Sequence, residues 1–370
     1  MSDNPLVKLH AHGQSFWYDN IRRKYLFDGT LRDLLANDGL RGMTSNPSIF
    51  AKAIGGSDDY DEQMKALVAA GASVDEIYEA LVLEDIRTAC DLFAPLYAES
   101  DGGDGYVSLE VSPLLANDSA GTIAEAVRLF SAVDRPNLMI KVPATPAGIP
   151  AIKELISRGI NINITLMFNM AHYEAVAQAY LDGLHKLIVA GGDPTHVASV
   201  ASFFVSRVDS AVDAQLEAIG TPAAAALMGK AAIANAKVVY QRFLEIFHGE
   251  PFAPLQAAGG TRQRLLWAST STKNPDYPDT MYIDELIGPE TVNTMPPATI
   301  DAFRDHGVVA DQLLADVAEA EAQLAGLTSL GIDLSAITET LQEEGVDSFA
   351  KAFAELMDTI ESKRERLAGS

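Results

Sequence analysis

At 370 residues, 48% of them hydrophobic and 21% charged, the chain has material for a large core in one domain or two. Its 27 Lys and Arg against 51 Asp and Glu leave a formal net charge of −24. That field argues against nucleic acid and anionic membranes as partners, and it obliges an anionic substrate to find a local cluster of cations.

No apolar run is long enough to cross a membrane, and the N-terminus, MSDNPLVKLHAHG, carries no secretory apolar core. The single cysteine, Cys90, rules out an intramolecular disulfide and reads as a small apolar residue on a helix face. The expected compartment is the cytoplasm; monomer and homodimer both stay open.

In chain order, Gln14 to Asp19 reads as a first strand ending in a carboxylate, followed by a helical pattern over 20–37. Leu40 to Thr44 is a second short strand, and Asn46-Pro47 opens a helix with a cap and a proline at its first position. Helical stretches over 58–71 and 74–98 follow, the second with Leu81, Leu83, Ile86, Cys90 and Phe93 on or near one face. Tyr106 to Val111 is a third strand, with a helix to about 132. The fourth strand is Leu138-Met139-Ile140-Lys141-Val142-Pro143, an apolar run of the kind buried on both faces, broken by one lysine. Thr145-Pro146 is expected to cap and begin the next helix. Ile160 to Leu166 then alternates strictly, which sets Asn161, Asn163 and Thr165 on one face of a fifth strand.

A helix over 171–190, a sixth strand over Ala198 to Val205, and an Ala-rich helical tract over 210–247 come next. Leu265 to Ser269 is the seventh strand, the eighth lies within Met281 to Met295, and the tail from Thr299 is expected to be helical throughout. Eight short strands alternating with helices predict an α/β fold, a closed parallel eight-stranded β/α (TIM) barrel. The rival, an open doubly wound sheet, lacks a G-x-G-x-x-G after the first strand and any phosphate-loop motif. A single domain over 1–370 is expected, with 310–370 as a helical extension packing on the barrel.

In such a barrel catalytic groups sit at the C-terminal strand ends. Asp19, Asn46, Glu110, Lys141, Asn163, Ser202 and Ser269 all fall at or near predicted ends. Lys141 is either a structural cation paired with Glu110 or Asp19, or a Schiff-base nucleophile. Two carboxylates on other strands and an aligned row of neutral polar groups favour the nucleophile. Imine chemistry on a ketose needs a base, an acid and hydrogen bonds for the sugar hydroxyls.

Six segments carry a resemblance to one family. They are Gly42-Met43-Thr44-Ser45-Asn46-Pro47-Ser48-Ile49-Phe50, Ser108-Leu109-Glu110-Val111-Ser112-Pro113, Ile140-Lys141-Val142-Pro143-Ala144-Thr145, Ile160 to Leu166, Ala201 to Arg207, and Trp267-Ala268-Ser269-Thr270. In this order, over residues 14 to about 300, they resemble the transaldolase signatures.

The resemblance implies a cofactor-free transferase of the pentose phosphate pathway. Such an enzyme carries a dihydroxyacetone unit from sedoheptulose 7-phosphate to glyceraldehyde 3-phosphate, and its partners are small sugar phosphates. By position it implies Lys141 as the Schiff-base lysine and Asp19 as the acid/base for the C4 hydroxyl. Glu110 with Thr165 would manage a water. Thr44, Asn46, Asn163 and Ser202 would hold the dihydroxyacetone part, with Phe204 on the Ser202 face, and Arg207 and Ser269 would meet the phosphate.

Plainer readings stand beside these. Asn46 could merely cap its helix, and Asp19 could be a surface charge. Arg207 reaches the site only if the sixth strand stops near Val205. Many transaldolases place an arginine two residues after the serine; this chain has Ser271 there, so Lys273 is taken as the second phosphate contact. His10 and His12 could face one metal, but no third ligand is evident and no metal is assigned. An aldolase of the same imine type and a non-catalytic sugar-phosphate-binding barrel are the alternative functions.

Overall fold

The computed structural model describes residues 4–368. Eight parallel strands close on themselves: β1 (Gln14–Asp19), β2 (Gly42–Thr44), β3 (Tyr106–Glu110), β4 (Leu138–Pro143), β5 (Ile162–Met167), β6 (Ser199–Phe204), β7 (Arg264–Ala268) and β8 (Thr291–Met295). β1 pairs with both β2 and β8, which completes the TIM barrel expected from the strand count. The strands are buried almost throughout, as they must be when helices cover the outside and side chains fill the inside.

The register sets the site. Asp19 pairs with Thr44, Glu110 with Lys141, and Lys141 with Asn163, so these side chains share one face of adjacent strands. Below them the barrel is plugged by Trp17, wholly buried. A Cβ on Gly42 would stand 2.4 Å from the Trp17 ring, so only glycine admits the indole at that point of β2.

Several expected elements are shorter or broken. The stretch 20–37 divides into Arg23–Phe27, Thr30–Asp33 and an under-wound turn over Leu34–Asp38. The Ala-rich tract divides into Ser206–Ile219, Pro222–Ala225 and Ala231–Phe247, with Gly220 in left-handed conformation at the first break. Thr145 does receive the Gly148 amide, at 3.0 Å, but Pro146 and Ala147 form a turn and the helix starts at Gly148. Near the start of the described residues, Pro5–Leu9 is helical and buries Leu6 and Leu9. Nor is the tail helical throughout, since helix Pro297–His306 gives way to an irregular stretch before Val317–Ser329.

The last helix, Leu334–Ala368, has 35 residues and is therefore about 50 Å long. It packs on helices that follow β2 and β6 and on β5 itself, so it lies across the C-terminal end of the barrel. Asn169 donates to the Thr338 hydroxyl at 2.9 Å near its start, and Lys363 donates to Ser57 O at 2.6 Å and Asp61 at 2.8 Å near its end. Cys90 is fully buried, and burial pushes its thiol well above the ordinary range. No helix among the described residues is long and apolar enough to cross a membrane.

Candidate active site

A cavity of about 260 Å³ opens at the C-terminal ends of the strands. Ten of the twelve residues singled out in the sequence line it, all but Glu110 and Asn163. These ten residues, from six strands or the segments that follow them, therefore converge on one place.

Lys141 rises from the apolar β4 run, 5% exposed. Its Nζ lies 3.5 Å from Glu110 Oε2 and 3.5 Å from the Ser45 carbonyl, both at the limit of a hydrogen bond. The two readings of this lysine thus merge: it has an acidic neighbour, but a loose one. Glu110 Oε2 has no hydrogen bond among the described residues, and neither has the buried Thr165 hydroxyl. Burial pushes the Glu110 carboxyl from 4.5 up to about 7; the Lys141 ammonium opposes this and Asp19 adds to it. A carboxyl poised near neutrality beside an amine suits proton transfer in both directions. Behind Glu110 is a void of about 10 Å³, about enough for one water, walled in part by Tyr78 and Phe353.

Asp19 faces Lys141 across the cavity and is held by the Thr44 hydroxyl at 2.7 Å, itself 2.8 Å from Thr294 Oγ1. Asn46 combines its two expected roles: its Oδ1 accepts from the Ile49 amide at 3.0 Å, and it lines the cavity. Asn163 is not at a strand end. It is the second residue of β5, wholly buried, and its amide is taken up by Ser108 Oγ at 3.0 Å and the Ser202 hydroxyl at 2.6 Å. The pairing of Lys141 with Asn163 sets the start of β5 level with the fourth residue of β4, so Asn163 forms the floor beneath Ser202.

The anion end lies opposite. β6 stops at Phe204 and a helix begins at Ser206, which turns Arg207 into the cavity despite its awkward parity. Its guanidinium sits 5.8 Å from the Phe204 ring and makes no hydrogen bond or ion pair among the described side chains. Burial lowers its pKa from the usual value. Lys273 is also lowered, by burial first and then by the Arg207 charge, so the two cations are near enough to repel. An anion between them relieves that repulsion. Lys273 Nζ is steadied by Ser271 Oγ at 2.8 Å, and Ser269, in left-handed conformation after β7, meets Ser206 Oγ at 2.9 Å.

The cavity also contains residues that sequence reasoning passed over, namely Ser48, Thr294, Pro296, Ser348 and Phe349. Thr294 is the penultimate residue of β8, paired in register with Trp17, and it reaches the site through its hydroxyl contact with Thr44. Ser348 and Phe349 come from the last helix and carry no local signal. His10 and His12 part company: His12 Nδ1 pairs with Asp311 at 2.6 Å, while His10 lies near Arg41 and Arg264 at the other end of the barrel.

The profile of the family described as Transaldolase/Fructose-6-phosphate aldolase matches residues 16–360. A Transaldolase of Parafrankia sp. is 50% identical over 367 residues, covering 99% of each chain. A Transaldolase of Thiobacillus denitrificans is 51% identical over 94% of this chain and 97% of its own, and one of Mycolicibacterium smegmatis is 46% identical over 98% of both. With this geometry and these likenesses together, the chain belongs to the transaldolase/fructose-6-phosphate aldolase family.

Proposed function

We propose that the enzyme is a transaldolase that forms a Schiff base on Lys141. It carries a dihydroxyacetone unit from sedoheptulose 7-phosphate to glyceraldehyde 3-phosphate, leaving erythrose 4-phosphate and giving fructose 6-phosphate. The observation that carries this reading is Lys141 itself, a buried amine on an apolar strand, facing a cavity and 3.5 Å from a carboxyl near neutrality.

The Lys141 ammonium gives a proton to Glu110 and the free amine adds to the C2 carbonyl. Glu110, through a water held with the Thr165 hydroxyl, returns that proton as the carbinolamine loses hydroxide to become the iminium. Asp19 then takes the C4 hydroxyl proton; the C3–C4 bond breaks, its electron pair passes into the iminium, and the aldehyde leaves. The acceptor aldehyde reverses these steps. Thr44, Asn46 and Ser202 bind the sugar hydroxyls over the Asn163 floor, with Phe204 as an apolar wall. Arg207, Ser269 and Lys273 hold the phosphate and so fix where the reacting carbons lie. No cofactor is invoked, and a cytoplasmic location goes with the reading.

An aldolase releasing dihydroxyacetone to water would share the barrel and the lysine. The relatives' names, over nearly whole chains, support transfer. Borohydride reduction with fructose 6-phosphate should trap substrate on Lys141, and Lys141→Arg should lose both trapping and turnover because a guanidinium forms no such imine. Modification mapping to any other lysine would overturn the assignment.

A further inference from the structure

The last helix presents a buried stripe, Gln342, Gly345 and Phe349, at helical spacing. The Gln342 amide donates to Ala144 O at 3.1 Å and to Leu166 O at 2.9 Å. It thereby clasps the ends of the two strands that carry Lys141 and Thr165, from 198 residues beyond the first of those carbonyls. Leu166 has a φ of 62° at a register shift of β5, so the clasped carbonyl belongs to a residue held in a costly conformation directly after Thr165. Gly345 permits this approach, because a Cβ there would stand 2.8 Å from Leu166 Cδ2. Two turns past the clasp, the Phe349 ring centre lies 5.5 Å from Lys141 Nζ. One turn further, Phe353 packs edge-on against Tyr78 at 5.5 Å, closing the void behind Glu110.

We propose that Phe349 is a specificity-determining residue, which keeps water off C3 of the unit bound to Lys141 and so favours transfer over release, with Gln342 setting the height of its ring. This rests on the transaldolase reading above. After C3–C4 cleavage the three-carbon unit remains on Lys141 as an enamine with two fates. In transfer, C3 attacks the acceptor's carbonyl carbon, the new alkoxide takes the proton from Asp19, and water adds at C2 of the new iminium so that the C–N bond breaks and the sugar leaves. In release, C3 takes a proton from water, the resulting iminium adds hydroxide at C2, and the C–N bond breaks to return the amine and free dihydroxyacetone. Both routes pass through a cationic nitrogen that the ring face accommodates, and both end with water adding at C2 of an iminium, but only release needs water to protonate C3 first. An apolar roof beside C3 slows the protonation that only release requires and spares attack on an acceptor aldehyde.

The test uses the full chain with fructose 6-phosphate as donor, measuring dihydroxyacetone release without acceptor and transfer to erythrose 4-phosphate with it. Phe349→Ala should raise the release-to-transfer ratio about tenfold, equivalent to about 1.4 kcal/mol between the two barriers, as water gains access to C3, while borohydride still labels Lys141. Phe349→Leu keeps apolar bulk without the ring, should fall between, and carries the test if the alanine variant does not fold. Gln342→Leu should shift the ratio in the same direction. A purely structural role would lower transfer and release together and leave the ratio at the wild-type value, and that result in folded variants overturns the proposal. If the wild type neither labels at Lys141 nor transfers, the transaldolase reading itself falls and takes this proposal with it.

Discussion

Arg207→Ala is expected to lower kcat/KM for fructose 6-phosphate by about two orders of magnitude. The guanidinium stands half-buried over Phe204, and its donors are not used by any described side chain, so they remain for the ligand. Two charge-assisted hydrogen bonds to a phosphate, at about 1.5 kcal/mol each, amount to about 3 kcal/mol. Lys273 remains as a second cation, which keeps the loss from being larger. In a protein of net charge −24, attraction of the anion falls to local cations such as these. KM should rise and kcat should fall together, because the phosphate also positions the C3–C4 bond between Lys141 and Asp19. The assay compares steady-state kinetics on fructose 6-phosphate and fructose. The unphosphorylated sugar never used these bonds, so the preference between the two should collapse by the same factor. An unchanged preference ratio in a folded variant would refute the reasoning and move the phosphate to Lys273.

Two further outcomes separate the carboxyls. Asp19→Asn should block C–C cleavage yet still permit imine formation, whereas Glu110→Gln should slow the imine itself; single-turnover trapping rates decide, and equal losses would reject the division. Folding raises the Glu110 carboxyl from 4.5 to about 7, so between those values the native state keeps a proton that the unfolded chain has lost. Stability should therefore fall as pH rises through that window, by at most about 3 kcal/mol, and stay lowered above it. Glu110→Gln should remove this dependence, which melting curves of both proteins from about pH 5 to about pH 8 would reveal; parallel curves would show that the carboxyl is not raised.

Much of the candidate site was legible because local patterns record which face of an element is buried. The apolar run around Lys141 marked an inner strand, the Asn46-Pro47 pair marked a helix start, and strand alternation put Asn163 and Thr165 on one side. The motif order extended this to Asp19, Glu110, Arg207 and Ser269, groups separated in sequence but gathered at one end of the barrel once it closes. What a pattern does not contain is height and partner. The stagger between β4 and β5 sinks Asn163 to the floor, and only the closed register reveals it. The break of β6 at Phe204 turns Arg207 inward, a change of direction at one residue that periodicity does not register. The roof is the clearest case. Gln342, Gly345 and Phe349 look like any buried stripe of an amphipathic helix, and nothing in their spacing says what they cover. Their partners, Ala144, Leu166 and Lys141, lie about two hundred positions earlier, so the contact is decided by docking of the last helix on the finished barrel.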